Sequence, residues 1–184
     1  LIGHFKQVAV DQTSAQRRRF DLAATIGEIV ATLQPQYRKT PHRIRVDIPD
    51  GIVMDSFPGP LGQVITNLAT NALVHGFAQA EAGLLEIEVS QPRNGRLTMT
   101  VSDNGCGIAA EHLPRIFDPF FTTRLGQGGS GLGLHIVYSI ATRVLGGRIE
   151  ARSTPGTGTT FVLELPLQAP DAQPAAATWG AVPR

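Results

Sequence analysis

Cysteine is almost absent from this 184-residue chain: Cys106 stands alone, which rules out a disulfide within the chain, and no cysteine and histidine spacing resembles a zinc site. Nothing points to an oxidising compartment, so a cytoplasmic setting is expected. Long apolar runs are missing as well: none approaches the ~20 residues that a membrane helix needs, and no signal-peptide pattern opens the chain. No membrane contact is therefore expected of this segment, and any anchor of a longer protein would lie outside it. Charge of one sign is not in excess either. Sixteen Lys and Arg stand against fifteen Asp and Glu, a formal charge of +1, and the basic residues are scattered, which argues against a nucleic-acid surface. Aromatic residues make up only 6% of the chain, and its one tryptophan, Trp179, falls in the Ala- and Pro-rich stretch 168–184, which reads as a disordered tail. Because the first residue is Leu rather than Met, the chain reads as a piece of a longer protein.

What is present suffices for one domain with a real core: 42% of the residues are hydrophobic, and a chain of about 150 residues buries roughly 68–70% of its unfolded surface. Leu1, Phe5, Val8 and Ala15 keep helical spacing, so residues 1–19 read as an amphipathic helix leading in from elsewhere. Asp21 is the expected N-cap of a helix carrying Leu22, Ile26, Ile29, Val30 and Leu33, which Pro35 should stop. Ile44, Val46 and Ile48 alternate as in a strand ended by Pro49, Ile52 to Met54 reads as a second short strand, and Pro58-Gly59-Pro60 as a turn that halts it. Leu61, Ile65, Leu68 and Ala72 mark a helix running from Leu61 to about Phe77. Strands Leu85 to Val89 and Leu97 to Val101, joined by the turn Pro92-Arg93-Asn94-Gly95, deliver Asp103 to a strand end. A last helix carries Leu134, Val137, Ile140, Ala141 and Val144 and ends at Gly146-Gly147, and strands Arg148 to Ala151 and Thr159 to Leu165 close the domain. Hairpin-linked strands grouped with helices, instead of strict strand-helix-strand alternation, predict an α+β fold, a two-layer sandwich rather than a Rossmann sheet.

Three blocks carry chemistry. Asn67, Asn71 and His75, four residues apart, form one stripe at the edge of a helix's apolar face. Amide oxygens suit Mg²⁺ and an imidazole can donate to phosphate; the bland alternative is a solvated polar face. Asp103-Asn104-Gly105-Cys106-Gly107-Ile108 sets a carboxylate at a strand end, where glycines let a flat ring approach the backbone and the carboxylate can accept from an adenine amine. A plain Asp-Asn-Gly turn is the alternative. Cys106 has no basic or metal partner in the sequence that would activate it and reads as a small, partly buried filler. Gly126-Gln127-Gly128-Gly129-Ser130-Gly131-Leu132-Gly133 has neither a P-loop ending nor dinucleotide spacing, yet it runs straight into a helix, whose free amides favour phosphate. Between the last two blocks, Phe117, Phe120 and Phe121 read as rings anchoring a movable segment, with Thr123 and Arg124 facing a nucleotide.

In this order the blocks resemble the catalytic, ATP-binding domain of bacterial sensor histidine kinases, within the ATPase superfamily that includes gyrase, MutL and the 90-kilodalton heat-shock chaperones. The likeness covers residues 21–167, and it implies a two-layer α/β sandwich of the Bergerat type, a mixed sheet covered on one face by helices. It further implies ATP and Mg²⁺ as cofactors, with Asn71 binding the metal and Asn67 and His75 beside the phosphates. Asp103, Gly105, Gly107 and Ile108 resemble the first glycine box, with Asp103 reading adenine. Phe117, Phe120 and Phe121 resemble the aromatic box, and Gly129, Ser130, Gly131, Leu132 and Gly133 the second glycine box that closes a lid. Thr159, at the start of the last strand, would support Asp103. Catalysis would fall to Asn67, Asn71, His75 and Arg124, and nucleotide contact also to Phe121 and Thr123.

The activity so implied is transfer of the ATP γ-phosphoryl group to a histidine on a separate helical dimerisation domain, for relay to a response regulator receiver domain, in a full-length homodimer. His4-Phe5-Lys6 does not match the family's phosphorylated histidine, so residues 1–20 read as the C-terminal remnant of the acceptor hairpin and its hinge. Asn67 stands where water-activating ATPases of the superfamily carry Glu, and an amide cannot act as a general base, so water attack should be weak. A serine kinase of the anti-sigma-factor type and a non-catalytic nucleotide-sensing or docking module are the competing functions.

Overall fold

The computed structural model describes residues 16–78, 80–123 and 131–171. Among the described residues the first element is a short strand, β1 (Arg18–Asp21), which passes directly into α1 (Leu22–Tyr37). Asp21 caps this helix as the sequence predicts, its carboxylate accepting the Ala24 N–H at 2.8 Å. Leu22, Ile26, Val30, Leu33 and Tyr37 recur on one face and are all buried. Pro35 does not end the helix: it sits inside the last turn, and Tyr37 beyond it is fixed by its Oη donating to the Ala69 carbonyl at 2.8 Å. That buried anchor holds the turn that the proline weakens.

Two further strands follow, β2 (Arg43–Asp47) and β3 (Val53–Ser56), and β3 pairs antiparallel with β1 in a separate two-stranded sheet. The helix expected over residues 1–19 is therefore wrong at its C-terminal end, because Arg18 and Arg19 are paired with Ser56 and Asp55 as strand; residues 1–15 lie outside the described residues. Just before β1, Arg17 donates to Asp55 at 3.0 Å and to Asp171 at 2.6 Å. Pro58-Gly59-Pro60, expected as a turn, instead forms the first turn of α2 (Pro58–Asn71), where a proline's missing N–H is no loss. A wider turn, Ala72–Gly76, continues α2 and closes with Phe77 N–H on the Ala72 carbonyl at 2.8 Å.

Strands β4 (Leu84–Val89) and β5 (Arg96–Asp103) form the expected hairpin. Asn94 and Gly95 sit at its tip with φ of 51° and 73°, the left-handed pair such a tight turn requires. After a single helical turn at Leu113–Arg115 come α3 (Gly133–Ser139) with its wider continuation Ile140–Val144, then β6 (Arg148–Thr154) and β7 (Gly158–Pro166). The main sheet has the order β2-β4-β5-β7-β6, parallel only between β2 and β4. Alternate residues of its central strands (Leu85 and Ile87, Met99 and Val101, Leu163 and Leu165) are buried and pack in one core with the apolar faces of α1, α2 and α3. The result is the α+β sandwich with a mixed sheet that the sequence predicts. The folded body runs slightly past residue 167: Ala169 is buried and bonds to Asp55, while residues 172–184 lie outside the described residues. Among the described residues no helix is long and apolar enough to cross a membrane.

Candidate nucleotide site

One cavity of about 770 Å³ opens between α2, the end of β5 and the start of α3. Its walls include Asn67, Asn71 and His75 from α2 and its wide turn, Asp103, Gly107 and Ile108 from the end of β5, and Thr159 from β7. Phe121, Thr123, Gly131 and Gly133 also line it. Blocks far apart in sequence thus share one cleft.

The wide turn at the end of α2 and the loop after β5 are held together by backbone. The Cys106 N–H donates to the Gly76 carbonyl at 2.9 Å, and a Cβ on Gly105 would fall 2.4 Å from that same oxygen. Gly105 does not line the cavity; its absent side chain permits this contact, and its N–H donates to Asp103 Oδ1 at 2.9 Å. Gly107, at φ 71°, lies so close to the Thr154 carbonyl that a Cβ would be 2.2 Å away. Cys106 is exposed rather than partly buried, lines the cavity, and directs its thiol to the His75 carbonyl at 3.3 Å.

Asp103 ends β5 opposite Thr159 of β7. Burial pushes its carboxyl above the usual carboxylate range, and N–H donation from Gly105 and Thr159 pulls the other way. The phenol of the fully buried Tyr37 is raised as well, first by burial and second by the Asp103 charge. Thr159 is itself only 6% exposed. Its hydroxyl lies 3.1 Å from Ser153 Oγ, which also accepts the Ile108 N–H at 2.8 Å and donates to the Gly158 carbonyl at 2.7 Å. Ser153 of β6 thereby ties the loop after β5 to the first residues of β7.

On the opposite wall, Asn67 Nδ2 donates to the Gly133 carbonyl at 3.5 Å, and Asn71 Oδ1 would lie 3.8 Å from a Cβ on Gly133. Both amides therefore face the start of α3. Phe117 and Phe121 pack against the core as expected, but Phe120 does not: it is 70% exposed, with φ of 63°. That left-handed backbone is unusual for a bulky residue, and it brings Gly131 against the Phe120 backbone, 2.5 Å from where a Cβ would sit. Leu132 precedes α3 without lining the cavity. Arg124, Gly129 and Ser130 lie outside the described residues.

Sequence reasoning missed His112, Thr70, Thr122 and Leu134, which line the same cavity, and Ser153 behind it. His112 lies against Phe121, ring centroids 5.7 Å apart. Its only sequence signal was its place in the segment between two glycine-bearing blocks. Ser153 had none, because its role arises from sheet pairing.

The model of the histidine kinase-, DNA gyrase B- and HSP90-like ATPase family matches residues 58–169, more than half of the chain. The sensor histidine kinase ZraS of Klebsiella oxytoca is 40% identical over 110 residues, which are 60% of this chain and 22% of that relative. The solved catalytic domain of histidine kinase ThkA superposes with a TM-score of 0.72 at 27% identity, covering 83% of this chain and 97% of that one. ThkA in complex with the response regulator protein TrrA gives 0.67 at 26% identity, over 82% and 41%. Full-length ShkA in complex with AMPPNP gives 0.70 at 27% identity, over 86% and 32%.

Proposed function

Because the chain belongs to the histidine kinase-, DNA gyrase B- and HSP90-like ATPase family, we propose that it binds Mg-ATP in the cavity just described and passes the γ-phosphoryl group to a histidine on a separate helical domain, from which a response regulator takes it. The chain spans only 22% of its relative ZraS, a named sensor histidine kinase. One observation carries the reading: the Asp103 carboxylate and the Asn67 and Asn71 amides open onto one cavity of about 770 Å³. That volume lies within the roughly 300–1,000 Å³ of ordinary ligand sites.

In this reading Asp103 accepts from the exocyclic amine of adenine, Gly107 and Ile108 lie beside the base, and the triphosphate extends toward Asn67, Asn71 and the start of α3. Among the described residues no cluster of three or more His, Cys, Asp or Glu is placed to hold a metal. The donor set offered is amide oxygen, which fits Mg²⁺, a cation usually held by few protein ligands together with substrate phosphates. Asn71 would hold it and Asn67 and His75 would face the phosphates; when bound, it neutralises phosphate charge. Asn67 cannot take a proton from water, so this wall positions the phosphate without activating a hydrolytic attack. A neutral imidazole needs no such base, and geometry and charge neutralisation suffice for it.

The test is phosphotransfer from labelled ATP to a supplied helical acceptor domain. Asn71→Ala should cut the Mg²⁺-dependent rate by about 100-fold or more, with the product acid-labile as phosphohistidine is. Full transfer by the variant would remove the ligand role, and an acid-stable product would favour a serine kinase.

A further inference from the structure

We propose that Ser153 is a positioning residue that fixes the hydrogen-bond polarity of Thr159, and through it makes the base end of the pocket select a purine bearing a 6-amino group over one bearing a 6-oxo group. The inference rests on the nucleotide reading above and adds a residue and a discrimination to it.

The polarity follows from the number of protons each group carries. The Gly158 carbonyl can only accept and receives the Ser153 hydroxyl proton at 2.7 Å. The Ile108 N–H can only donate, and it occupies one Ser153 lone pair at 2.8 Å. Ser153 has one hydroxyl proton, already committed, so in its 3.1 Å contact with Thr159 Oγ1 the threonine must be the donor. The Thr159 proton is then directed away from the cavity it lines, and what its oxygen retains is lone pairs. Beside it stands Asp103, an acceptor when ionised, whose carboxylate already takes the N–H groups of Gly105 and Thr159. This end of the pocket thus presents acceptors and no hydroxyl donor from Thr159. A 6-amino group supplies the donors that it lacks, whereas a 6-oxo group sets a third acceptor against two others, and such unpaired polar contacts are costly.

Removing the Ser153 hydroxyl frees the Thr159 proton to rotate into the cavity, where it can donate to a 6-oxo group. Calorimetry on the full chain with ATP and with ITP reads the ratio of the two affinities. Ser153→Ala should lower the wild-type preference for ATP by about tenfold, partly through better ITP binding, and Ser153→Thr, which keeps the hydroxyl, should retain the preference. Equal weakening of both nucleotides at an unchanged ratio would mean that Ser153 only supports the strand, and would overturn the proposal. If circular dichroism shows Ser153→Ala unfolded, Thr159→Val removes the same hydrogen bond from its other end, together with the Thr159 lone pairs; an undiminished preference there overturns it too. A wild type that binds neither nucleotide would sink the pocket reading itself, an outcome separable from a wild type that prefers ATP with a variant that does so equally.

Discussion

Gly105→Ala probes the seam on which the pocket is built. Gly105 is buried, has no left-handed backbone requirement, and lies against the Gly76 backbone: a Cβ would stand 2.4 Å from the carbonyl oxygen, 2.5 Å from its carbon and 2.7 Å from Cα. Ordinary contact begins near 3.4 Å, so the loop after β5 and the turn after α2 must part by about 1 Å, and neither atom set is a flexible side chain. That movement strains the 2.9 Å bond from the Cys106 N–H to the same carbonyl. Overpacking of this kind and the weakened bond together should cost about 2–4 kcal/mol, a large part of a typical total of about 5–15 kcal/mol. Urea unfolding should show the midpoint falling with its slope unchanged. Affinity for ATP should fall as well, because the same seam sets the separation of Asp103 from the α2 wall. A loss under about 1 kcal/mol, with ATP affinity intact, would refute the claim that the glycine is there for this close approach.

Gly27→Ala is the opposite case: Gly27 lies within α1 with nothing near its missing Cβ, so the alanine should stabilise the fold by about 0.5–1 kcal/mol, measured by the same unfolding assay. Asp103 gives a pH dependence. Burial raises its folded pKa, so the folded state holds the proton more tightly than the unfolded chain, and the wild type loses stability as pH rises through the interval between the two values. Asp103→Asn has no proton to lose there and should gain on the wild type from about pH 4 upward, then keep a constant advantage; a wild type that gains on the variant over that range would reverse the sign and the cause assigned to it.

Much of the site was legible because it is written in local signals. Helical periodicity puts Asn67, Asn71 and His75 on one stripe, and an apolar strand before it and glycines after it put Asp103 at a strand end. Each signal alone also fits a solvated face or a plain turn; the joint order of the blocks, through the family resemblance, made them a candidate site. The hairpin turn at Asn94-Gly95 is likewise a property of two adjacent residues. What escaped depends on partners distant in sequence. Strand β1 exists because Arg18–Asp21 finds β3, and α1 continues past Pro35 because Tyr37 reaches Ala69 on another helix. Pro58-Gly59-Pro60 carries equal turn and helix-start signals, and α2 packing decides between them. Ser153 joins the site through the Ile108 N–H, 45 positions away in sequence, whereas its bonds within the β6–β7 hairpin and the ring contact of His112 with Phe121 are local but follow no residue pattern that marks a site.

The proposed function requires the Asp103 carboxylate to grip the base of ATP in a cleft it shares with the Asn helix. Calorimetric titration of ATP and Mg²⁺ into the wild type and into Asp103→Asn tests it most directly, with circular dichroism to establish that the variant is folded. The variant should bind ATP at least about 10- to 100-fold more weakly, the value of a hydrogen bond to a charged acceptor; equal affinity in a folded Asp103→Asn protein would contradict the account.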